Sequence, residues 1–200
     1  MSTRLGQIYR TEYLKNIGLD LVGDKILDIG CHNGAWLSNL DARIRIGLDI
    51  SPIKSVDEIS FVKADAISLP FPKESFDIVY LLDLIEYIEN DRKLISQVMV
   101  IIKSGGKLIL TTSQTNIRIF PGFLTQWIIK KWGHTTRKGY DPELLSSYFG
   151  NSTDIKIYEI SARWYRNLNI SLRLIFSFFQ NFTRKIIRFT VCQEAKNLSG

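Results

Sequence analysis

The chain has 200 residues, 45% of them hydrophobic, and a formal net charge of +6. That is one domain's worth of sequence, long enough to bury a core, and no apolar run approaches the roughly 18 residues of a membrane-crossing helix. Two cysteines, Cys31 and Cys192, exclude a disulfide framework, and the polar residues 1–15 lack the apolar centre of a secretory leader, so a cytoplasmic location is expected.

Residues 3–18 read as an amphipathic helix, with Leu5, Ile8, Tyr9, Tyr13 and Leu14 near helical spacing. Next comes Lys25-Ile26-Leu27-Asp28-Ile29-Gly30-Cys31-His32-Asn33-Gly34, an apolar run of the kind buried on both faces of a sheet, ending in two spaced glycines. Gly30 lets the chain turn sharply, and Gly34 lets backbone or ligand approach with no Cβ in the way. Ala35, Trp36, Leu37 and Leu40 predict a helix over 35–40. Strand, glycine turn and helix in that order expose N–H groups at the strand's carboxyl end, where open α/β sheets bind nucleotide-like ligands. The Gly-x-x-x-Gly spacing differs from the Gly-x-Gly-x-x-Gly of pyrophosphate binders and disfavours NAD.

Further apolar runs predict strands over 45–50, 59–63, 77–82 and 107–112. The first of these ends at Asp49-Ile50, roughly 20 residues after Asp28, where nucleotide folds carry a ribose-binding carboxylate. Ser51-Pro52 starts a turn and short helix. The next two runs end at Asp65-Ala66 and Leu82-Asp83. A helix over 91–102, with Leu94, Ile95, Val98 and Ile102 on one face, is expected to stop at Gly105-Gly106. Beyond Gln114 come an apolar helix over 123–132, a basic loop over 133–139 and a helix over 143–149 opened by Asp141-Pro142. A strand over 154–160 follows, then a segment with Leu172, Ile175, Phe176, Phe179 and Phe182 on one face, and a last strand over 187–194. The positive excess falls after Ile117, so the second half carries whatever basic surface the molecule presents.

In order and spacing, residues 26–114 resemble the class I S-adenosylmethionine-dependent methyltransferases. The subgroup is the one with "LDIGCGxG", "D", "D-A-x-x-L-P-F", "FDxVxxxxxLEH" and "L(K)PGGxLxxxTP" motifs. The resemblance implies an α/β, doubly wound, Rossmann-like sheet of seven strands, mostly parallel, with an antiparallel last strand inserted between strands five and six. It implies a single methyltransferase domain over 1–200, with 20–114 binding the cofactor and 115–150 and 162–186 forming the substrate side. The cofactor implied is S-adenosyl-L-methionine. Its ribose diol asks for a carboxylate, Asp49, with Ile50 beside it. The Asp65 side chain and the Ala66 N–H suit adenine, while the Gly30 carbonyl and Asp28 suit the ammonium, in a loop completed by Cys31 and Gly34. Leu82 and Asp83 fall where the family lines the methyl-transfer region. Tyr9 and Arg10 either approach the methionine end or belong to a helix that covers the sheet edge.

Two departures from the family pattern matter. His32 replaces a glycine and reads as a solvated loop residue. Glu86-Tyr87 replaces Glu-His, so no metal is expected although Asp83 and Glu86 remain. The Asn-Pro-Pro-Tyr-type ending of base methylators is missing, which disfavours nucleic acid as the acceptor. Candidates for a general base or acceptor contact are Asp83, Tyr87, His134 and Tyr140. The expected reaction is in-line methyl transfer to a small-molecule, glycan or lipid-linked acceptor. The alternatives are a non-catalytic cofactor- or partner-binding protein of the same fold and an RNA methyltransferase. The Phe-rich, basic 172–188 segment either makes peripheral contact with an anionic membrane or packs on the chain's own sheet or a second subunit. The oligomeric state is left open.

Overall fold

The computed structural model describes residues 14, 23–51, 58–113, 139–150, 153–160 and 188–195. Strands β1 (Lys25–Ile29), β2 (Ile44–Asp49), β3 (Ile59–Lys63), β4 (Phe76–Leu82) and β5 (Ile102–Ser113) precede β6 (Thr153–Ile160) and β7 (Arg188–Ala195). They lie in the order β3-β2-β1-β4-β5-β7-β6. β1 to β5 pair in parallel, while β7 runs antiparallel to both β5 and β6. The chain steps outward from β1 to β3 and then crosses back to β4, so the winding reverses between β1 and β4. Such a reversal opens a crevice at the carboxyl ends of the strands.

The apolar runs form central strands because both of their faces are covered. Leu27, Ile29, Val79, Leu81, Leu108 and Leu110 share a core with Leu94, Ile95 and Val98 of helix α1 (Asp91–Ile101). Ile26, Ile78, Tyr80 and Ile109 share the other with Leu14, Trp36 and Leu37. Asn90 caps α1 by accepting the Lys93 N–H at 3.2 Å. Register brings Ile29 level with Leu48 and Leu81, and Leu82 level with Thr111. The loops after these strands therefore open on one edge.

Local chemistry departs from the sequence pattern in three places. Residues 35–40 make a single 3-10 turn, Leu37–Asn39, rather than a regular helix. The Ser38 hydroxyl and Asn39 amide bond back to the Gly34 and Ala35 carbonyls, at 3.2 and 2.6 Å, and such back-bonding competes with the helical ladder. The glycine pair does not cap α1, because the chain is already extended at Ile102, which pairs with Phe76. Gly106 instead allows close strand packing: a Cβ there would lie 2.7 Å from Ile102 Cγ2 and 3.0 Å from the Asp77 carbonyl oxygen. Helix α2 (Pro142–Ser146) is shorter than 143–149, and Asp141 caps it by accepting the Glu143 N–H at 3.0 Å.

Leu14 is helical and buried. The rest of the leading helix with Tyr9 and Arg10, the turn after Ser51, the apolar 123–132 helix, His134 and the Phe-rich segment lie outside the described residues.

Candidate active site

Gly30 and Gly34 hold the turn after β1 with φ of +76° and +70°. A Cβ on Gly30 would come within 2.9 Å of Leu84 Cδ1, and one on Gly34 within 2.8 Å of Phe61 Cζ. Both positions therefore exclude a side chain by conformation and by space. The Gly30 and Cys31 N–H groups donate to the Leu48 carbonyl at 2.7 and 3.2 Å, pinning the turn to the end of β2.

Asp49 completes that junction. Its Oδ2 accepts the His32 N–H and its Oδ1 the Ser51 N–H, both at 2.9 Å. The half-buried carboxylate is thus aimed by two backbone donors, and each oxygen keeps a lone pair for a further donor. Ile50, 67% exposed, follows it. His32 is exposed, as a solvated residue should be, but at φ +51° its N–H orients Asp49. Non-glycine residues in that region are uncommon and gather at functional turns.

After β3, Asp65 is exposed and Ala66 buried. After β4, Asp83 adopts φ +52°. The Thr111 hydroxyl both receives the Asp83 N–H at 3.1 Å and donates to Asp83 Oδ1 at 3.0 Å. A second bond, from the Asp83 N–H to the Thr111 carbonyl at 2.9 Å, fixes the turn. Asp28 is 3% exposed near the end of β1. The carboxyl edge therefore gathers Asp28, Gly30, Gly34, Asp49, Ile50, Asp65, Ala66, Leu82 and Asp83. A diol suits Asp49, and glycine-lined backbone suits a ligand lying close against the turn.

Two of the expected site residues have buried side chains. The Cys31 side chain packs inward, lying where a Cβ on Gly47 would meet Sγ at 2.6 Å. Burial, and then the nearby Asp28 and Asp49, push its thiol far up, which keeps it protonated and unreactive. Tyr140 is not a base candidate. It is 1% exposed, and its hydroxyl lies 2.8 Å from Asp91 Oδ2 and 3.1 Å from the Ile85 carbonyl oxygen. Burial, and then Asp91, raise the phenol well above its usual value, so it stays protonated. Tyr148 donates to the same carboxylate oxygen at 3.1 Å, and Arg92 lies over the Tyr148 ring at 4.3 Å. Tyr87 is 41% exposed on the 3-10 turn Ile85–Tyr87, which follows β4 and Asp83 in the chain. Among the described residues no three potential metal ligands cluster.

Thr111 is the residue that sequence reasoning missed. A signal was present: Thr111-Thr112 interrupts an apolar strand at its carboxyl end, yet both side chains are fully buried. Thr112 donates to the buried Glu86 carboxylate at 3.0 Å. Buried hydroxyls at a strand end are there to bond something.

Comparison with known proteins bears on this geometry. Residues 27–110 match the family described as "Methyltransferase domain". The chain is 32% identical over 104 residues to 27-O-demethylrifamycin SV methyltransferase of Amycolatopsis mediterranei (strain S699), covering 44% of this chain and 38% of that one. It is 28% identical over 137 residues to demethylmenaquinone methyltransferase of Lactococcus lactis, covering 60% of this chain and 54% of that one. The chain thus spans less than two thirds of either relative. Among solved structures, phosphoethanolamine N-methyltransferase 2 of Haemonchus contortus in complex with S-adenosyl-L-methionine superposes with a TM-score of 0.68 at 17% identity, covering 94% of this chain and 52% of that one.

Proposed function

We propose that the chain acts as a class I S-adenosylmethionine-dependent methyltransferase, transferring a methyl group to a small-molecule or lipid-linked acceptor. The observation that carries this is the Asp49 junction, a carboxylate aimed by neutral backbone donors beside two glycines that admit no Cβ. The donor set fits S-adenosylmethionine. Asp49 would accept the ribose hydroxyls, while the Asp65 carboxylate and Ala66 N–H would read the adenine edge. The Gly30 carbonyl and Asp28 would take the ammonium. When bound, that cofactor supplies a methyl group already activated by its sulfonium.

What remains for the protein is alignment, exclusion of water and, for a hydroxyl acceptor, removal of a proton. Asp83 is the group proposed for the last task. Thr111 restrains one carboxylate oxygen, and the bond from the Asp83 N–H to the Thr111 carbonyl fixes the turn that follows β4, which supports this role. The names of the two relatives above, a 27-O-demethylrifamycin SV methyltransferase and a demethylmenaquinone methyltransferase, support an acceptor of the small-molecule or lipid class. The Phe-rich, basic 172–188 segment is consistent with an acceptor held at a membrane surface. Among the described residues no helix is long and apolar enough to cross a membrane.

Calorimetric titration with S-adenosylhomocysteine tests the cofactor site, and absence of binding by the folded chain would overturn it. Labelled cofactor incubated with separate soluble and lipid extracts tests the acceptor class. Label confined to macromolecular RNA or protein would overturn that part.

A further inference from the structure

The turn after β3 carries the two groups assigned to adenine, and its internal bonds do not tie it to the sheet. The Asp65 Oδ1 accepts the Ile67 N–H and the Asp65 carbonyl accepts the Ser68 N–H, both at 3.0 Å, so these close the turn on itself. At its start the Ala64 N–H donates to the Asp49 carbonyl at 3.1 Å, and beyond Asp65 its polar attachment among the described residues comes from α1. There Gln97, half-buried beside the apolar face, presents its amide to the turn. Gln97 Oε1 accepts the Leu69 N–H at 2.8 Å, and Gln97 Nε2 donates to the Ile67 carbonyl at 2.5 Å. A primary amide offers a donor and an acceptor side by side, so it satisfies the turn much as a neighbouring strand would. Ala66, next to the clamped Ile67, is buried, and no hydrogen bond among the described residues engages its N–H. A buried backbone donor without an acceptor is rare in a folded protein.

We infer that Gln97 is a positioning residue for base recognition: by clamping Ile67 and Leu69 it holds the Ala66 N–H and the Asp65 carboxylate where they read adenine. The inference rests on the cofactor assignment made above. Gln97 itself touches neither cofactor nor acceptor. It acts through the turn, so its removal should change which base is preferred and not only how tightly a ligand is held.

The test compares S-adenosylhomocysteine with its inosine counterpart, in which the exocyclic amine is replaced by a carbonyl oxygen and the ring nitrogen carries a proton. Both are titrated into the full chain by calorimetry, beside thermal melts. The wild-type chain should prefer the adenine compound by about tenfold or more, because the inosine compound reverses the donor and acceptor at that edge. Gln97→Ala should lower adenine affinity by about tenfold and collapse the preference, with the melt shifted only slightly. Gln97→Glu, which keeps the acceptor for Leu69 and loses the donor to Ile67, should fall between. Asp49→Ala should weaken both compounds alike and leave their ratio unchanged. If Gln97→Ala does not fold, Gln97→Met, which preserves the side-chain length, carries the same comparison. A wild-type ratio in the folded variant would overturn the inference while leaving the cofactor assignment intact. Binding of both compounds by the wild-type chain without preference would do the same. Failure of the wild-type chain to bind either would overturn the cofactor assignment and this inference with it.

Discussion

At the amino ends of the parallel strands, Asp77 lies between the Lys103 ammonium, at 2.6 Å, and the Lys25 N–H, at 2.8 Å. Arg45 pairs there with Glu58, and Arg43 faces Asp24 at 3.7 Å. At the carboxyl ends, Asp49 and Asp65 are held by backbone N–H groups, and Asp83 is held in part by the Thr111 hydroxyl. Both edges hold their acids in place, by different means. A cation cancels charge, whereas a neutral donor fixes geometry and leaves the formal charge in place. An edge of the second kind attracts cations and hydroxyl donors, and a sulfonium-bearing nucleoside offers both. The difference predicts that substitutions at the carboxyl edge change binding more than stability, and that substitutions at the amino edge do the reverse.

The largest effect is expected at Asp49. Asp49→Ala removes the acceptor for two ribose hydroxyls and for the His32 and Ser51 N–H groups. Unsatisfied donors in a partly buried site cost about 1–3 kcal/mol, so affinity for S-adenosylhomocysteine should fall by roughly thirtyfold or more. The melting temperature should move far less. Unchanged affinity in a folded variant would remove Asp49 from the site and erase the contrast between the edges.

Asp91 sharpens the comparison, because hydroxyls hold it too. Tyr140 and Tyr148 both lie against its Oδ2, and the residue is only 8% exposed. Both hydroxyls come from rings packed in or against the core and not from the turns that end the parallel strands. Tyr140→Phe should therefore act as a stability mutant, losing about 1.5–3 kcal/mol for a hydrogen bond to a charged group. That is roughly 5 °C or more in Tm for a chain of this size. Cofactor affinity should stay within about twofold by the same calorimetry. A large affinity loss with little change in Tm would place Tyr140 in the site after all.

Thr111→Val comes next. It removes the hydroxyl that bridges the Asp83 N–H and Oδ1, while the Thr111 carbonyl still receives that N–H. The turn should survive with its carboxylate less restrained, costing about 1 kcal/mol, or about fivefold in kcat. KM for the cofactor should hardly change. A loss confined to KM would mean that Thr111 shapes the cofactor pocket and not the acceptor side.

The sequence made the carboxyl edge legible where it rests on local pattern. Strands buried on both faces read as continuous apolar runs, so β1 and the end of β4 were visible, while β2 and the edge strand β3 showed as shorter apolar runs ending in an acid; with them came Gly30, Asp49, Asp65 and Asp83. The glycine pair at 105–106 misled, because glycine after a helix looks the same whether it caps the helix or lets a strand pack closely. Ser38 and Asn39 carried a warning against a regular helix that the spacing of Trp36, Leu37 and Leu40 outweighed. Tyr140 misled for another reason. Its partner Asp91 is 49 residues distant, and no local pattern separates a phenol facing the crevice from one locked in the core. Thr111 and Gln97 were hidden in the same way, since each acts on a turn 28 residues away in sequence.

The smallest effect belongs to the amino edge. Burial alone would raise the Asp77 carboxyl, but the hydrogen bonds from Lys103 and the Lys25 N–H outweigh it and hold that carboxyl below the usual range. A carboxyl depressed in the folded state stabilises the fold above its unfolded value, near 4, and loses that contribution as the pH falls through the folded value. The Lys103 side chain is 43% exposed, so solvent screens the pair and its worth is only a few tenths of a kcal/mol. Asp77→Asn should therefore lower Tm by about 1 °C at pH 7. Melts repeated at falling pH should bring variant and wild type together, because the wild-type carboxyl protonates and the pair is lost as the pH passes through its lowered folded value. High salt should narrow the gap at pH 7 as well. S-adenosylhomocysteine affinity should be the same in both proteins at every pH, since the strand separates Asp77 from the carboxyl edge. A gap that widened below pH 4 would mean that the Lys103 pair is not the source of the stabilisation. A change in affinity would mean that the two edges are coupled through β4 and that the division of labour between them fails.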